Sequence, residues 1–332
     1  MRESSISCFE NRCSLYRSTK FEDQSFPSER ALYSPGMKLT LLGTGTPIPQ
    51  LERRGPATLL EAGNARVLID AGSGVVHRLL EAGQSSQPAP DGPAALTAIF
   101  LTHLHSDHIM GLPDLLWTGW IMGWWDTPPP IHGPPGTARM MRGLEETFAY
   151  DIRIRNALDQ ITRPWQTPEV HEFAEAVTYE RDDYLAVPFR VDHSPVDEAF
   201  GIRFDLDGWS VAFSGDTRPL ESLAKAVHGA DILLHEVYDS RMARRQLQAV
   251  RERFGEKSGE YRARKGVIGY HTLSEDLGSI ATLADSPHLV LNHVVGPPVS
   301  SSIEEDIARA YAGRITVGAD LQTFVPQRGG KS

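Results

Sequence analysis

Three imidazoles and a carboxylate, His103, His105, Asp107 and His108, fall within six positions in Thr102-His103-Leu104-His105-Ser106-Asp107-His108. The run directly before them, Leu96 to Thr102 (LTAIFLT), is continuously apolar, as strands buried on both faces are. A chain carrying this junction must bury a strand in an α/β core and release its end into a polar loop, where active-site residues gather. In extended chain, residues two apart face one side. His103 and His105 can therefore grip one cation while Asp107 and His108 turn toward a second. Nitrogen and oxygen donors without sulfur suit zinc, and manganese or iron also fit.

A second cation needs more ligands, and three candidates stand at the ends of later strand-like runs. His193 follows Phe189-Arg190-Val191-Asp192, Asp216 follows Val211-Ala212-Phe213-Ser214-Gly215, and His293 follows Leu289-Val290-Leu291-Asn292. Asp216 is the natural bridge, because one carboxylate can bind two cations about 3.5 to 4 Å apart. The two cysteines, Cys8 and Cys13, lie near the N-terminus, so the rest of the chain has no disulfide, thiol nucleophile or thiolate ligand.

Residues 1–36 are Ser-rich, lack hydrophobic periodicity and end at Pro35-Gly36, which predicts a disordered N-terminal extension. Their charges balance, so the formal net charge of −10 belongs to residues 37–332. An acidic body repels polyanions at long range and counts against a broad nucleic-acid surface. No stretch approaches the roughly 18 consecutive apolar residues of a membrane helix, and charges stand where a signal peptide would be apolar. These features predict a cytoplasmic protein with no membrane partner.

Strands are expected at 38–42, 57–62, 66–69, 96–102, 169–173, 185–192, 199–205, 209–213, 230–234, 288–291 and 321–325. Helices are expected near 74–82, 110–122, 137–149, 219–227, 240–254, 275–284 and 303–312. Strand meanders in each half with helices between them predict two sheets packed face to face with helices outside, an αββα sandwich of the α/β class.

With these residues in view the sequence resembles the metallo-β-lactamase superfamily and, within it, the ribonuclease Z-like branch. The resemblance runs from about Met37 to Val325. It rests on Leu42-Gly43-Thr44-Gly45-Thr46-Pro47, Asp70-Ala71-Gly72, the His103 to His108 motif, His193, Ser214-Gly215-Asp216-Thr217 and His293. It implies a four-layer αββα sandwich and makes 37–332 one hydrolase domain. It also implies two zinc ions: His103, His105 and His193 hold the first, Asp107, His108 and His293 the second, and Asp216 bridges. Leu233-Leu234-His235-Glu236 resembles the family's His-Glu loop and Tyr270-His271-Thr272 its His-Ser/Thr loop. By the same resemblance His271 is the acid or oxyanion partner and Glu236 its orienting carboxylate. Val237-Tyr238 and Leu273 depart from the family pattern, which usually has smaller residues there.

Such a site implies a dinuclear metal-dependent hydrolase of phosphodiesters. Two cations lower the pKa of a shared water so that hydroxide exists near neutral pH, and Asp107 can orient that water or take its proton. The same site also serves arylsulfatases, phosphotriesterases and lactone or other ester hydrolases, and a metal-bearing binding protein without turnover is a further class. In ribonuclease Z a long arm that grips tRNA commonly lies between the third histidine and the bridging aspartate. Here 22 residues separate His193 from Asp216 and read as a plain hairpin. That weakens RNA as substrate and favours a small anionic or aryl ester. Against it stand nine basic residues between Arg241 and Lys265, facing three Glu. They read either as a surface for an anionic substrate or as a solvated helix face with a mobile loop around Gly255 and Gly259. Trp117, Trp120, Trp124 and Trp125 read as core, as a homodimer contact, or as an apolar wall beside the metals.

Overall fold

Leu59 and Leu60 are sequence neighbours with both side chains buried, as are Ile99 and Phe100, which requires sheets covered on both faces. The computed structural model describes residues 37–83, 96–158, 163–174, 177–296 and 301–325. The expected N-terminal extension, 1–36, lies outside the described residues. The strands are β1 (Lys38–Gly43), β2 (Ala57–Ala62), β3 (Ala65–Ile69), β4 (Ala98–Phe100), β5 (Ile131–Gly133), β6 (Val170–Glu172) and β7 (Tyr179–Arg181), then β8 (Tyr184–Arg190), β9 (Phe200–Leu206), β10 (Trp209–Phe213), β11 (Ile232–Tyr238), β12 (His288–Val295), β13 (Arg314–Val317) and β14 (Thr323–Phe324). The helices are α1 (Val75–Glu81), α2 (Ser106–Ile109), α3 (Gly111–Met122), α4 (Thr137–Thr147), α5 (Ala149–Asn156), α6 (Glu221–Ala226), α7 (Ser240–Phe254), α8 (Gly259–Gly269), α9 (Ser274–Leu283) and α10 (Ser301–Ala308).

The strands form two seven-stranded sheets, ordered β14-β1-β2-β3-β4-β5-β6 and β13-β12-β11-β10-β9-β8-β7. Leu39, Leu60, Val67, Phe100, Ile202, Phe204, Val211 and Val290 pack between them. The opposite face of the first sheet is covered by α1, α3 and α4 through Val75, Leu112, Leu116, Trp117 and Met141. The second is covered by α6, α9 and α10 through Leu223, Leu277, Ile303 and Ile307. The four-layer αββα sandwich is therefore as expected. No helix among the described residues is long and apolar enough to cross a membrane.

Strand direction places the site. β3 and β4 run parallel, β10, β11 and β12 run parallel, and β8 reaches β10's direction through two antiparallel steps. The C-terminal ends of β4, β8 and β10 consequently open at one edge of the sandwich, where His103, His193 and Asp216 follow them.

Among the expected boundaries that move, two bear on the site. β11 runs on to Tyr238 and β12 to Val295, so His235, Glu236 and His293 lie within strands rather than beyond their ends. The apolar Val237, Tyr238, Val294 and Val295 continue the pairing past a register shift between His235 and Val237. The stretch around Gly259, read as a mobile loop, is α8. Ser258 caps that helix, its Oγ accepting from the Tyr261 N–H at 3.1 Å.

Candidate metal centre

Each sequence-predicted donor reaches one cluster. His103, His105, His193 and Asp216 each present one ligand atom within 4.8 Å of the others, and so do Asp107, His108 and His293. Asp216 is central. Its Oδ2 lies 3.9 Å from His103 Nε2, 3.8 Å from His193 Nε2 and 3.7 Å from His293 Nε2, while its Oδ1 lies 3.4 Å from His108 Nε2. Asp107 Oδ2 lies 3.2 Å from His293 Nε2 and 3.7 Å from His108 Nε2. The turn at Gly215 presents Asp216: its φ of +59° is left-handed, and a Cβ there would sit 2.5 Å from the Phe200 carbonyl oxygen.

Hydrogen bonds made behind the imidazoles decide which nitrogen faces the cluster. The Tyr270 carbonyl can only accept, so His193 Nδ1 donates to it at 2.9 Å and its Nε2 lone pair points inward. His108 Nδ1 donates to Asp70 Oδ2 at 2.8 Å. Thr102 Oγ1 donates to Asp70 at 2.9 Å and lies 3.1 Å from His103 Nδ1, which donates to it. The inward His193 Nε2 accepts from His105 Nδ1 at 3.2 Å, a bond that a cation binding both nitrogens would replace. His103 Nε2, His108 Nε2 and Asp216 Oδ1 are buried without a hydrogen bond of proper geometry among the described residues. Each such group costs about 1–3 kcal/mol, and cations at the centre would remove that cost. The donor set therefore fits metal ions.

The electrostatics favour neutral His103, His105 and His193 and an ionised Asp216, but a protonated His108. Burial, joined by His108, holds the His103 pKa well below its ordinary value. Burial also lowers His105 and His193. For Asp216 burial works the other way, but the imidazoles of His293 and His108 outweigh it and hold the carboxylate well below its usual range. His108 goes up: burial opposes the shift, and Asp216 and Asp70 override it.

His271 and Glu236 also meet. His271 Nδ1 lies 3.2 Å from Glu236 Oε1 and 3.9 Å from Asp216 Oδ2. Burial alone would lower its pKa, yet the Glu236 carboxylate pushes it up to about 9. Glu236 Oε1 is itself fixed by the N–H groups of Thr217 (3.2 Å) and Thr272 (2.9 Å). Beside Asp107 a cleft of about 220 Å³ opens between Thr46, Pro47, Arg54, Ser73 and Met110.

The tryptophans settle into the core. Trp117, Trp120 and Trp124 are buried with Leu112, Leu115 and Met141, and Trp117 stacks on Trp165 at 4.3 Å. Trp125 packs half-buried against the same core, and none of the four lines the cleft beside Asp107. Sequence reasoning missed the part played by Asp70, noticed only within a resemblance motif. An acidic residue ending the apolar run Val67-Leu68-Ile69 was the available signal.

The sequence matches the beta-lactamase superfamily domain over residues 65–256. A ribonuclease Z from Mycobacterium bovis (strain BCG / Pasteur 1173P2) is 37% identical over 293 residues, 86% of this chain and 96% of that protein. A ribonuclease Z from Mycobacterium marinum is 35% identical over 86% of this chain and 97% of that protein. Among solved structures, human tRNase Z, short form, aligns with a TM-score of 0.59 at 21% identity, covering 87% of this chain and 100% of that one. The metallo-beta-lactamase fold protein YhfI from Bacillus subtilis aligns with a TM-score of 0.64 at 18% identity, over 87% and 99% of the two chains.

Proposed function

The chain belongs to the ribonuclease Z family of the beta-lactamase superfamily, and from that premise we propose that it is a dinuclear metal-dependent ribonuclease hydrolysing an RNA phosphodiester. The observation that carries this reading is the gathering of six further donors around Asp216 in a chain with ribonuclease Z relatives along most of its length.

His103, His105, His193 and Asp216 would hold one ion and Asp107, His108, His293 and Asp216 the other; a donor set of imidazoles and carboxylates points to zinc, with manganese and iron as alternatives. Bound ions of this kind supply Lewis acidity toward phosphoryl oxygens and lower the pKa of water. Asp107, at the mouth of the cleft, orients the attacking water and takes up its proton. His271, held against Glu236, meets the charge that develops on the phosphoryl group or protonates the departing oxygen. Glu236 positions His271 rather than touching substrate.

The hairpin β9–β10, which fills the interval between His193 and Asp216, favours a second reading in which the substrate is a small phosphodiester or aryl ester. The reading extends to a single hydrolase domain over 37–332 in the cytoplasm. It includes a homodimer, supported by exposed Tyr150, Ile154 and Leu158 on and just after α5.

Metal analysis of the purified protein beside hydrolysis of a 3′-extended precursor tRNA, bis(p-nitrophenyl) phosphate, p-nitrophenyl sulfate and paraoxon tests these readings. About two ions per chain with RNA cleavage is expected. Turnover of the sulfate or triester alone would replace the ribonuclease reading, and an Asp216→Ala variant with wild-type metal content and rate would remove the bridge.

A further inference from the structure

Between the Glu236 strand and His271 the chain inserts two helices, α7 and α8, and both ends of the insertion are fixed at the metal centre. The Tyr238 N–H donates to the Thr272 carbonyl at 2.8 Å, and Arg218 Nε donates to the Gly269 carbonyl at 3.0 Å. Asp239 caps α7, accepting from the Met242 N–H at 2.7 Å. Three of the insertion's basic residues are neutralised on its surface: Arg241 by Glu305, Arg244 by Glu275 and Arg251 by Glu256. Arg245, Lys257, Arg262 and Lys265 are exposed and make no ion pair among the described residues.

Arg264 differs from all of these. It is half-buried on the inner side of α8, and its guanidinium donates to Gln246 Oε1 at 3.2 Å, an oxygen that also accepts from the Tyr238 hydroxyl at 2.5 Å. The Tyr270 ring stands edge-on to His193 with centroids 4.9 Å apart, and 5.1 Å from His271. Arg264 is thus joined through Gln246 to Tyr238, whose ring centroid lies 6.2 Å from that of His271, and no carboxylate among the described residues pairs with it. In a chain of net charge −10 a partly desolvated cation without a counter-ion is an unmet cost that an incoming anion removes. Guanidinium is the group best matched to phosphate, offering two parallel N–H donors.

We propose that Arg264 binds the phosphate adjoining the scissile one in an RNA substrate, and that Arg245, Lys257, Arg262 and Lys265 continue the backbone track along α7–α8. The proposal rests on the ribonuclease reading. It gives the chain a purchase on RNA that the short interval between His193 and Asp216 does not provide. Phosphate contacts of this kind fix register and carry no sequence information, so the track acts on affinity rather than on base choice.

The test uses metal-loaded full-length protein, a 3′-extended precursor tRNA and bis(p-nitrophenyl) phosphate, which has no adjoining phosphate. Arg264→Met should raise KM for the RNA by about tenfold or more, the loss expected for a hydrogen bond to a charged group. The slope of log kcat/KM against log salt should shrink by about 0.7 to 0.9, one phosphate contact. Arg264→Lys should recover part of both, while KM for the small diester moves far less. The double variant Arg245→Glu, Lys265→Glu, whose side chains are exposed and make no ion pair among the described residues, should also raise KM for the RNA. Wild-type KM and salt slope on RNA in Arg264→Met, or equal losses on both substrates, overturn the proposal while leaving the ribonuclease reading intact. Wild-type protein that turns over the small diester and never the RNA overturns both.

Discussion

Replacing Asp70 by Asn removes the charge behind the metal centre while keeping the shape of the side chain. Asp70 is buried, and its carboxylate accepts from the Thr102 N–H at 2.8 Å, from Thr102 Oγ1 at 2.9 Å and from His108 Nδ1 at 2.8 Å. An Asn can supply one acceptor oxygen, so at least one of these donors faces an amide N–H₂. Hydrogen bonds to charged groups are worth about 1.5–3 kcal/mol each, so the folded protein should lose about that much stability. Metal affinity should fall about 10–100-fold, the range for partners behind a ligating imidazole, because His108 loses the bond that keeps its Nε2 lone pair inward. Chelator-competition titration measures the affinity, and denaturant unfolding of the metal-free protein measures the stability. An unchanged affinity beside a lowered stability would refute the orienting role and reduce Asp70 to a structural residue.

His271→Ala should lower kcat by about 10²- to 10⁴-fold with full metal content, and Glu236→Gln should lower it less; loss of metal from either variant would contradict their separation from the ligand set. Chelation should abolish activity and added zinc restore it, whereas activity that survives exhaustive chelation would sink the metal-dependent reading. His132, stacked on Phe100 at 4.4 Å, has its pKa lowered to about 3, first by burial and then by His171 and Arg181. The unfolded chain takes this proton near pH 6.5 and the folded chain refuses it. Stability should then be lost as pH falls from about 6.5 toward 3, by up to about 1.4 kcal/mol per unit, and His132→Phe should flatten that slope in urea titrations. A Cβ on Gly72 would lie 2.3 Å from the Gly55 carbonyl carbon and 2.7 Å from the Asp107 oxygen, so Gly72→Ala should cost about 1–3 kcal/mol and weaken metal binding; neutral behaviour would show that the loop can yield.

The donors were legible because each is a polar residue breaking an apolar run: His103 after LTAIFLT, His193 after FRV, Asp216 after VAF. The layers were legible for the same reason, since doubly covered strands carry continuous apolar runs. What escaped depends on partners distant in sequence. β5 has three residues and exists because Ile131 and His132 pair in parallel with Ile99 and Phe100. β13, Arg314–Val317, alternates polar and apolar residues with Ile315 and Val317 against the core, but four residues are too short a run to stand out until β12 pairs with them. α5 buries none of its residues, so no periodicity marks it, and α8 begins at a glycine that reads as a breaker unless the Ser258 cap is recognised. His293 read as lying just past its strand's end, but Val294 and Val295 keep it in β12 with a φ of +46°.

The segment Asp70-Ala71-Gly72 grips the histidine motif by backbone as well as by side chain. The Ala71 N–H donates to the His108 carbonyl at 2.7 Å, and the Ala71 carbonyl accepts from the Gly111 N–H at 2.8 Å. The shape of the motif is thus written some thirty residues upstream of it, in the turn that follows a different strand. The six residues from His103 to His108 are for that reason not a portable cassette. Transplanted to the end of another parallel strand they would carry the ligand atoms without the mould, and a designer borrowing this centre must take β3, β4 and the turn after each as one piece.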